Sequence, residues 1–104
     1  MTRHRVCSVD DVYEGDMKSF DVGNRRILLA RIGDEWYAID DRCSHAEVSL
    51  AMGELDAEGR TVTCPMHGGV FELGTGEGVE YPAVDPVDSF RVTIADDEVF
   101  VDLD

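Results

Sequence analysis

Cys43-Ser44-His45 and Cys64-Pro65-Met66-His67 are two short cysteine–histidine couples with 18 residues between them, and they hold two of the chain's three cysteines and two of its three histidines. Each couple offers one soft thiolate and one imidazole. Together they present an S₂N₂ ligand set, which suits zinc or iron–sulfur chemistry and not magnesium or calcium. Four ligands on two loops serve one centre only if the loops face each other, so the rest of the chain reads as the frame that brings them together.

That frame reads as strands. Residues 4–7 make a short first strand, and Ser8 can cap a helical turn over 8–12 by accepting from backbone amides two or three residues on. Met17 to Val22 alternates as a half-buried strand does, Gly23-Asn24 is a two-residue hairpin turn, and Arg25 to Ile32 is its partner. Gly33-Asp34-Glu35 turns the chain, and Trp36 to Ile39 runs toward the first couple. Residues 41–60 show no long helical period. Thr61 to Thr63 delivers Cys64, Gly68-Gly69 releases the chain after His67, and Val70 to Leu73 follows. Gly74 to Gly78 is a turn cluster that lacks the Gly-Lys-Ser/Thr ending of a phosphate loop. After the proline-bearing loop 81–86, Phe90 to Ile94 alternates cleanly, Asp96 to Glu98 turns and Val99 to Val101 closes the chain. Short strands with Gly-rich turns at close spacing predict an all-β, antiparallel sandwich or barrel of about nine strands.

Length and charge bound the function. A chain of 104 residues is expected to be one domain, 1–104, with a modest core. Its longest apolar runs, Ile27 to Ala30 and Trp36 to Ile39, fall far short of the roughly 20 residues a membrane helix needs. The start, Met-Thr-Arg-His-Arg-Val-Cys, has no apolar signal core, so a soluble, cytoplasmic chain is expected. A reducing compartment suits both thiolate ligands and the single remaining thiol, Cys7. The net charge of −14, from 23 acidic and 9 basic residues, argues against nucleic acid as a partner. It fits either steering onto a basic protein surface or a heavily solvated, salt-adapted surface.

Spacing alone leaves the metal open between zinc and a two-iron centre. Structural zinc sites favour cysteines about two to four residues apart, and Cys43-x-His45 is tight for such a knuckle. The neighbours go further. Cys43-Ser-His45, then Cys64-Pro-Met-His67-Gly68-Gly69, Phe71, Thr75-Gly76 and Tyr81-Pro82 resemble the Rieske [2Fe–2S] proteins. The resemblance covers most of the chain, most specifically 43–82. It implies a small cluster-binding subdomain, about 41–82, with Cys43 and Cys64 holding one iron as thiolates and His45 and His67 holding the other through imidazole nitrogen. Two ferric ions, two sulfides and two thiolates sum to zero, whereas four thiolates would leave −2. An added electron therefore meets less repulsion at the mixed centre. No open coordination position and no nucleophile–base pair is implied, so the expectation is a one-electron carrier and not an enzyme.

Departures within the resemblance indicate the subtype. High-potential relatives bridge their cluster loops with two further cysteines, and here those positions are Val48 and Met66. They also place a serine and a tyrosine as donors to the cluster sulfurs, and here those positions are Gly69 and Phe71. Fewer donors stabilise the reduced cluster less, so a midpoint near the low end of the class, around −150 mV, is expected. The chain resembles the soluble ferredoxin components of bacterial aromatic-ring-hydroxylating systems. Such a component passes electrons from a flavin-dependent reductase to a terminal oxygenase. The small subunit of an NAD(P)H-dependent nitrite reductase is the alternative within the same chemistry, and a zinc-stabilised interaction module is the alternative outside it. Pro65, Met66, Pro82 and Leu50 are expected to form an apolar docking patch, with Asp41, Glu47 and Glu54 around it.

Overall fold

A computed structural model describes residues 2–43, 48–66, 68–80 and 85–103. Among these the strands are β1 (Thr2–Ser8), β2 (Asp16–Val22), β3 (Arg25–Ile32), β4 (Glu35–Asp40), β5 (Glu54–Asp56), β6 (Thr61–Thr63), β7 (Val70–Glu72), β8 (Gly78–Glu80), β9 (Ser89–Phe90), β10 (Val92–Ala95) and β11 (Glu98–Leu103). All pairings are antiparallel. Three sheets result, ordered β1-β11-β10, β2-β3-β4-β9 and β5-β6-β7-β8. The all-β antiparallel expectation holds, with eleven strands among the described residues where about nine were expected. The additional ones, such as β5 and β8, are three residues long and too short to show a period.

β3 explains the arrangement. Ile27, Leu28, Leu29 and Ala30 are all fully buried, which an alternating strand with one wet face would not allow. Successive side chains point to opposite faces, and each face meets its own core. Leu28 and Ala30 pack with Ile39, Leu50, Val62 and Phe71, while Ile27 and Leu29 pack with Val22, Ala38, Val99 and Val101. One continuous apolar run thus divides two cores. β11 shows the complementary pattern, burying Val99, Val101 and Leu103 in strict alternation.

Turn chemistry follows the residues. Gly23 (φ +62°) and Gly33 (φ +59°) take the first central position of two-residue turns that pair Val22 with Arg25 and Ile32 with Glu35. That is the type II′ hairpin, in which the first central residue alone needs positive φ. Ser8 caps the single helical turn Val9–Asp11, accepting from the Asp10 amide at 3.3 Å while its own amide donates to Asp11 Oδ2 at 2.9 Å. The expected strand over 90–94 is corrected. The chain changes sheets at Arg91, with Phe90 pairing to Ala38 in β4 and Val92 pairing to Val101 in β11. Alternation continues through such a switch because period reports which face is buried, not which neighbour supplies the hydrogen bonds.

Cys7 lies in the β11-side core and is 3% exposed. Burial, helped by the nearby Asp11 carboxylate, pushes its thiol up to about 11 from an ordinary 9.0. Above pH 9 an unfolded thiol loses its proton while the folded one keeps it, so the folded state binds more protons and stability falls as pH rises toward 11. The stability difference between pH 8 and pH 10.5 is therefore expected to be larger for the wild type than for Cys7→Ala in denaturant titrations. Equal differences would show that Cys7 does not contribute.

Candidate metal centre

Both cysteines of the couples sit at the necks of closed loops. β4 ends at Asp40, after which an antiparallel bridge pairs Arg42 with Ser49 and the Cys43 amide donates to Val48 O at 3.1 Å. One step outside, the Leu50 amide donates to Asp41 O at 2.6 Å. The second loop continues the β6–β7 ladder: beyond the Thr63–Val70 pair, the Cys64 amide donates to Gly69 O at 2.7 Å and the Gly68 amide donates back to Cys64 O at 3.2 Å. Gly68 turns the chain at φ +74°, a left-handed conformation that favours glycine.

The necks converge. Cys43 and Cys64 are 3% and 2% exposed, neither is in a disulfide, and both belong to the core cluster built on Leu28, Leu50 and Phe71. Two buried thiols from two loops in one cluster are the soft donors that an iron–sulfur centre requires, so the residues present fit such a group. His45 and His67 lie outside the described residues.

Between the loops runs a strut that carried no clear sequence signal. Leu50–Met52 forms one 3₁₀ turn with Leu50 fully buried, closed by the Gly53 amide donating to Leu50 O at 3.0 Å. Gly53 passes so close to β6 that a Cβ there would overlap Thr63 O and stand 3.2 Å from Pro65 Cδ. Only a glycine permits that approach, and a lone glycine before a polar run does not announce it.

The expected docking patch is corrected in two places. Leu50 and Asp41 are fully buried and can face no partner. Asp41 is instead a clasp for the first loop. Its carboxylate accepts from Ser49 Oγ at 2.6 Å and from the Ala51 amide at 2.9 Å, and it lies 3.5 Å from Arg26 Nε. Buried carboxylates persist where they are paired and hydrogen-bonded in this way. Met66 is exposed as expected (55%), and Met52 is more so (78%). Met52, Glu54 and Pro65 border a hollow of about 420 Å³ that reaches Cys64. Pro82 and Glu47 lie outside the described residues. At the positions where donors to the cluster sulfurs were expected to be lacking, Phe71 is fully buried and Gly69 is buried.

Comparison with known proteins agrees with this geometry. Residues 2–91 match the Rieske [2Fe-2S] domain. The 3-phenylpropionate/cinnamic acid dioxygenase ferredoxin subunit of Escherichia coli (strain K12) is 40% identical over 103 residues, covering 99% of this chain and 95% of that one. The ferredoxin of carbazole 1,9a-dioxygenase from Nocardioides aromaticivorans IC177 superposes with a TM-score of 0.93 at 38% identity, covering 97% of each chain. A complex of reduced oxygenase and oxidized ferredoxin in carbazole 1,9a-dioxygenase contains a chain 34% identical to this one, with a TM-score of 0.86 over 95% of this chain and 91% of that one. The family match sets zinc aside: the chain belongs to the Rieske [2Fe-2S] domain family and carries one [2Fe–2S] cluster.

Proposed function

We propose that this chain is a cytoplasmic one-electron carrier that takes electrons from a flavin-dependent reductase and delivers them to a terminal oxygenase. In this reading Cys43 and Cys64 bind one iron as thiolates, His45 and His67 bind the other, and residues of about 41–82 form the cluster-binding subdomain of a single domain, 1–104. The observation that carries it is the convergence of two buried, non-disulfide thiols at the necks of two closed loops in one core cluster. When bound, the cluster supplies one-electron oxidation and reduction. The protein's own part is to hold the thiols dry, fix the loops and present a surface to partners. Its relatives named as dioxygenase ferredoxin subunits are matched over nearly their whole length, which favours the carrier role over a catalytic one. No helix among the described residues is long and apolar enough to cross a membrane.

Phe71 carries no side-chain donor and Gly69 no side chain at all, which supports a midpoint of around −150 mV, at the low end of the class. The test is reconstitution with a reductase and an oxygenase together with a redox titration. Product formation should depend on this chain, and the midpoint should be clearly negative. A positive midpoint would overturn the donor argument. A stable complex with a large sirohaem subunit, and no transfer to the oxygenase, would replace the oxygenase reading with the nitrite reductase one.

A further inference from the structure

Arg25, Arg26 and Arg42, three of the chain's nine basic side chains, line one cleft of about 490 Å³ with Asp40, Asp41 and Ser49. Among the described residues the lining has three positive groups against two negative ones, on a chain that carries −14. Arg25 is already engaged, with Nη1 at 3.1 Å from Asp88 and 3.9 Å from Asp40. Arg26 is not engaged in the same way. Its side chain is 62% exposed, and the buried Asp41 carboxylate stands 3.5 Å from its Nε. The approach of Asp41 is made at Nε, on the inner edge of the guanidinium, while most of the side chain faces solvent. Asp41 is itself immobilised by Ser49 Oγ and the Ala51 amide. A fixed buried acid therefore holds the inner edge of a guanidinium and leaves its outer fork for a ligand, and that planar fork matches a carboxylate in bidentate geometry.

The cleft also has a telling position. Val48 and Ser49, the residues that close the first ligand loop, form part of its wall. A group seated there lies beside the loop of Cys43. We infer that Arg26 receives a carboxylate side chain of the terminal oxygenase and so sets the register of the docked pair over the first ligand loop, an inference that rests on the electron-carrier reading above. Long-range steering by −14 favours a basic partner face. A carboxylate on that face is repelled everywhere except at a local cation, so it can be accepted in one register and rejected in others.

The test is a titration of the oxidised holoprotein with its oxygenase at low salt, with no electron transfer involved. Arg26→Glu should weaken binding by about tenfold or more. Arg26→Lys, which keeps the charge and loses the fork, should weaken it by a smaller factor. Iron content, the visible spectrum and the rate of reduction by the reductase are read on every variant, and Arg26→Lys, which keeps a cation beside Asp41, should hold all three at wild-type values. Binding by Arg26→Glu within about twofold of wild type would overturn the inference. So would an equal loss toward the reductase, which would mark a general charge effect. If Arg26→Glu loses iron because it places a second acid beside Asp41, Arg26→Gln decides, since it removes the fork without adding a charge. Wild-type binding by Arg26→Gln would then sink the idea. A wild-type chain that does not bind the oxygenase at all would sink the carrier reading together with the inference.

Discussion

Cys43→Ala and Cys64→Ala are each expected to yield a chain that folds but holds no [2Fe–2S] cluster, colourless and without an EPR signal after reduction. Both thiols are almost fully buried among aliphatic and aromatic neighbours, so alanine leaves a small cavity. The cost to the fold is of the order of 1 kcal/mol, while in the proposed assignment the cost to the centre is one of its two thiolate donors. No spare thiol can substitute, because Cys7 is buried in the opposite core with Val99 and Val101. Iron and sulfide analysis checks the outcome: each variant should retain less than about a tenth of the wild-type iron, as expected when an obligatory ligand is lost. Full iron in either variant would remove that cysteine from the ligand set. His45→Ala should behave in the same way, and it tests the imidazole side of the assignment.

Gly53→Ala is the second large effect, and it arises without touching a ligand. The added methyl would overlap Thr63 O and press on Pro65, the two residues that flank Cys64. Relief requires the Thr63–Cys64 peptide to move, and that peptide carries the amide which donates to Gly69 O at 2.7 Å. Overpacking against backbone costs about 2–3 kcal/mol, which for a domain of this size lowers Tm by roughly 10 °C. Cluster occupancy should fall with it, since the neck of the second loop is what shifts. Gly74→Ala is the matched control: its nearest neighbours would stand at an ordinary 3.9 Å and its φ is not positive, so Tm and iron content should stay near wild type. A Gly53→Ala protein with wild-type Tm and iron would show that the strut between the loops tolerates displacement.

Much of the frame was legible because strands and turns are local events. β3 and β6 have the boundaries read from apolar runs and flanking turn residues, and Gly23 and Gly33 sit where a positive φ is needed. The misses are non-local. Phe90 to Ile94 alternates as one strand does, yet it belongs to two sheets, because hydrogen-bond partners are chosen across the fold and leave no mark on period. Leu50 and Asp41 were expected on the surface, in and around a docking patch. Leu50 is buried because its 3₁₀ turn packs it against Leu28, Val62 and Phe71, and Asp41 because Ser49, Ala51 and Arg26 come back to satisfy it.

Residue chemistry carries the proposed site. Two thiols and two imidazoles in short couples, with a Gly68-Gly69 release, define a donor set and a spacing that composition and period cannot mimic. Donor identity is a property of single side chains and survives in one dimension. Convergence is not. That Cys43 and Cys64 share one core, that Gly53 grazes Thr63, and that Asp41 holds Arg26 at the edge of a cleft depend on contacts between segments far apart in the chain. The tertiary structure decides them, because both cysteines pack into the one core that Leu28 and Ala30 of β3 face, and burial there depends on which segments meet and not on any segment alone.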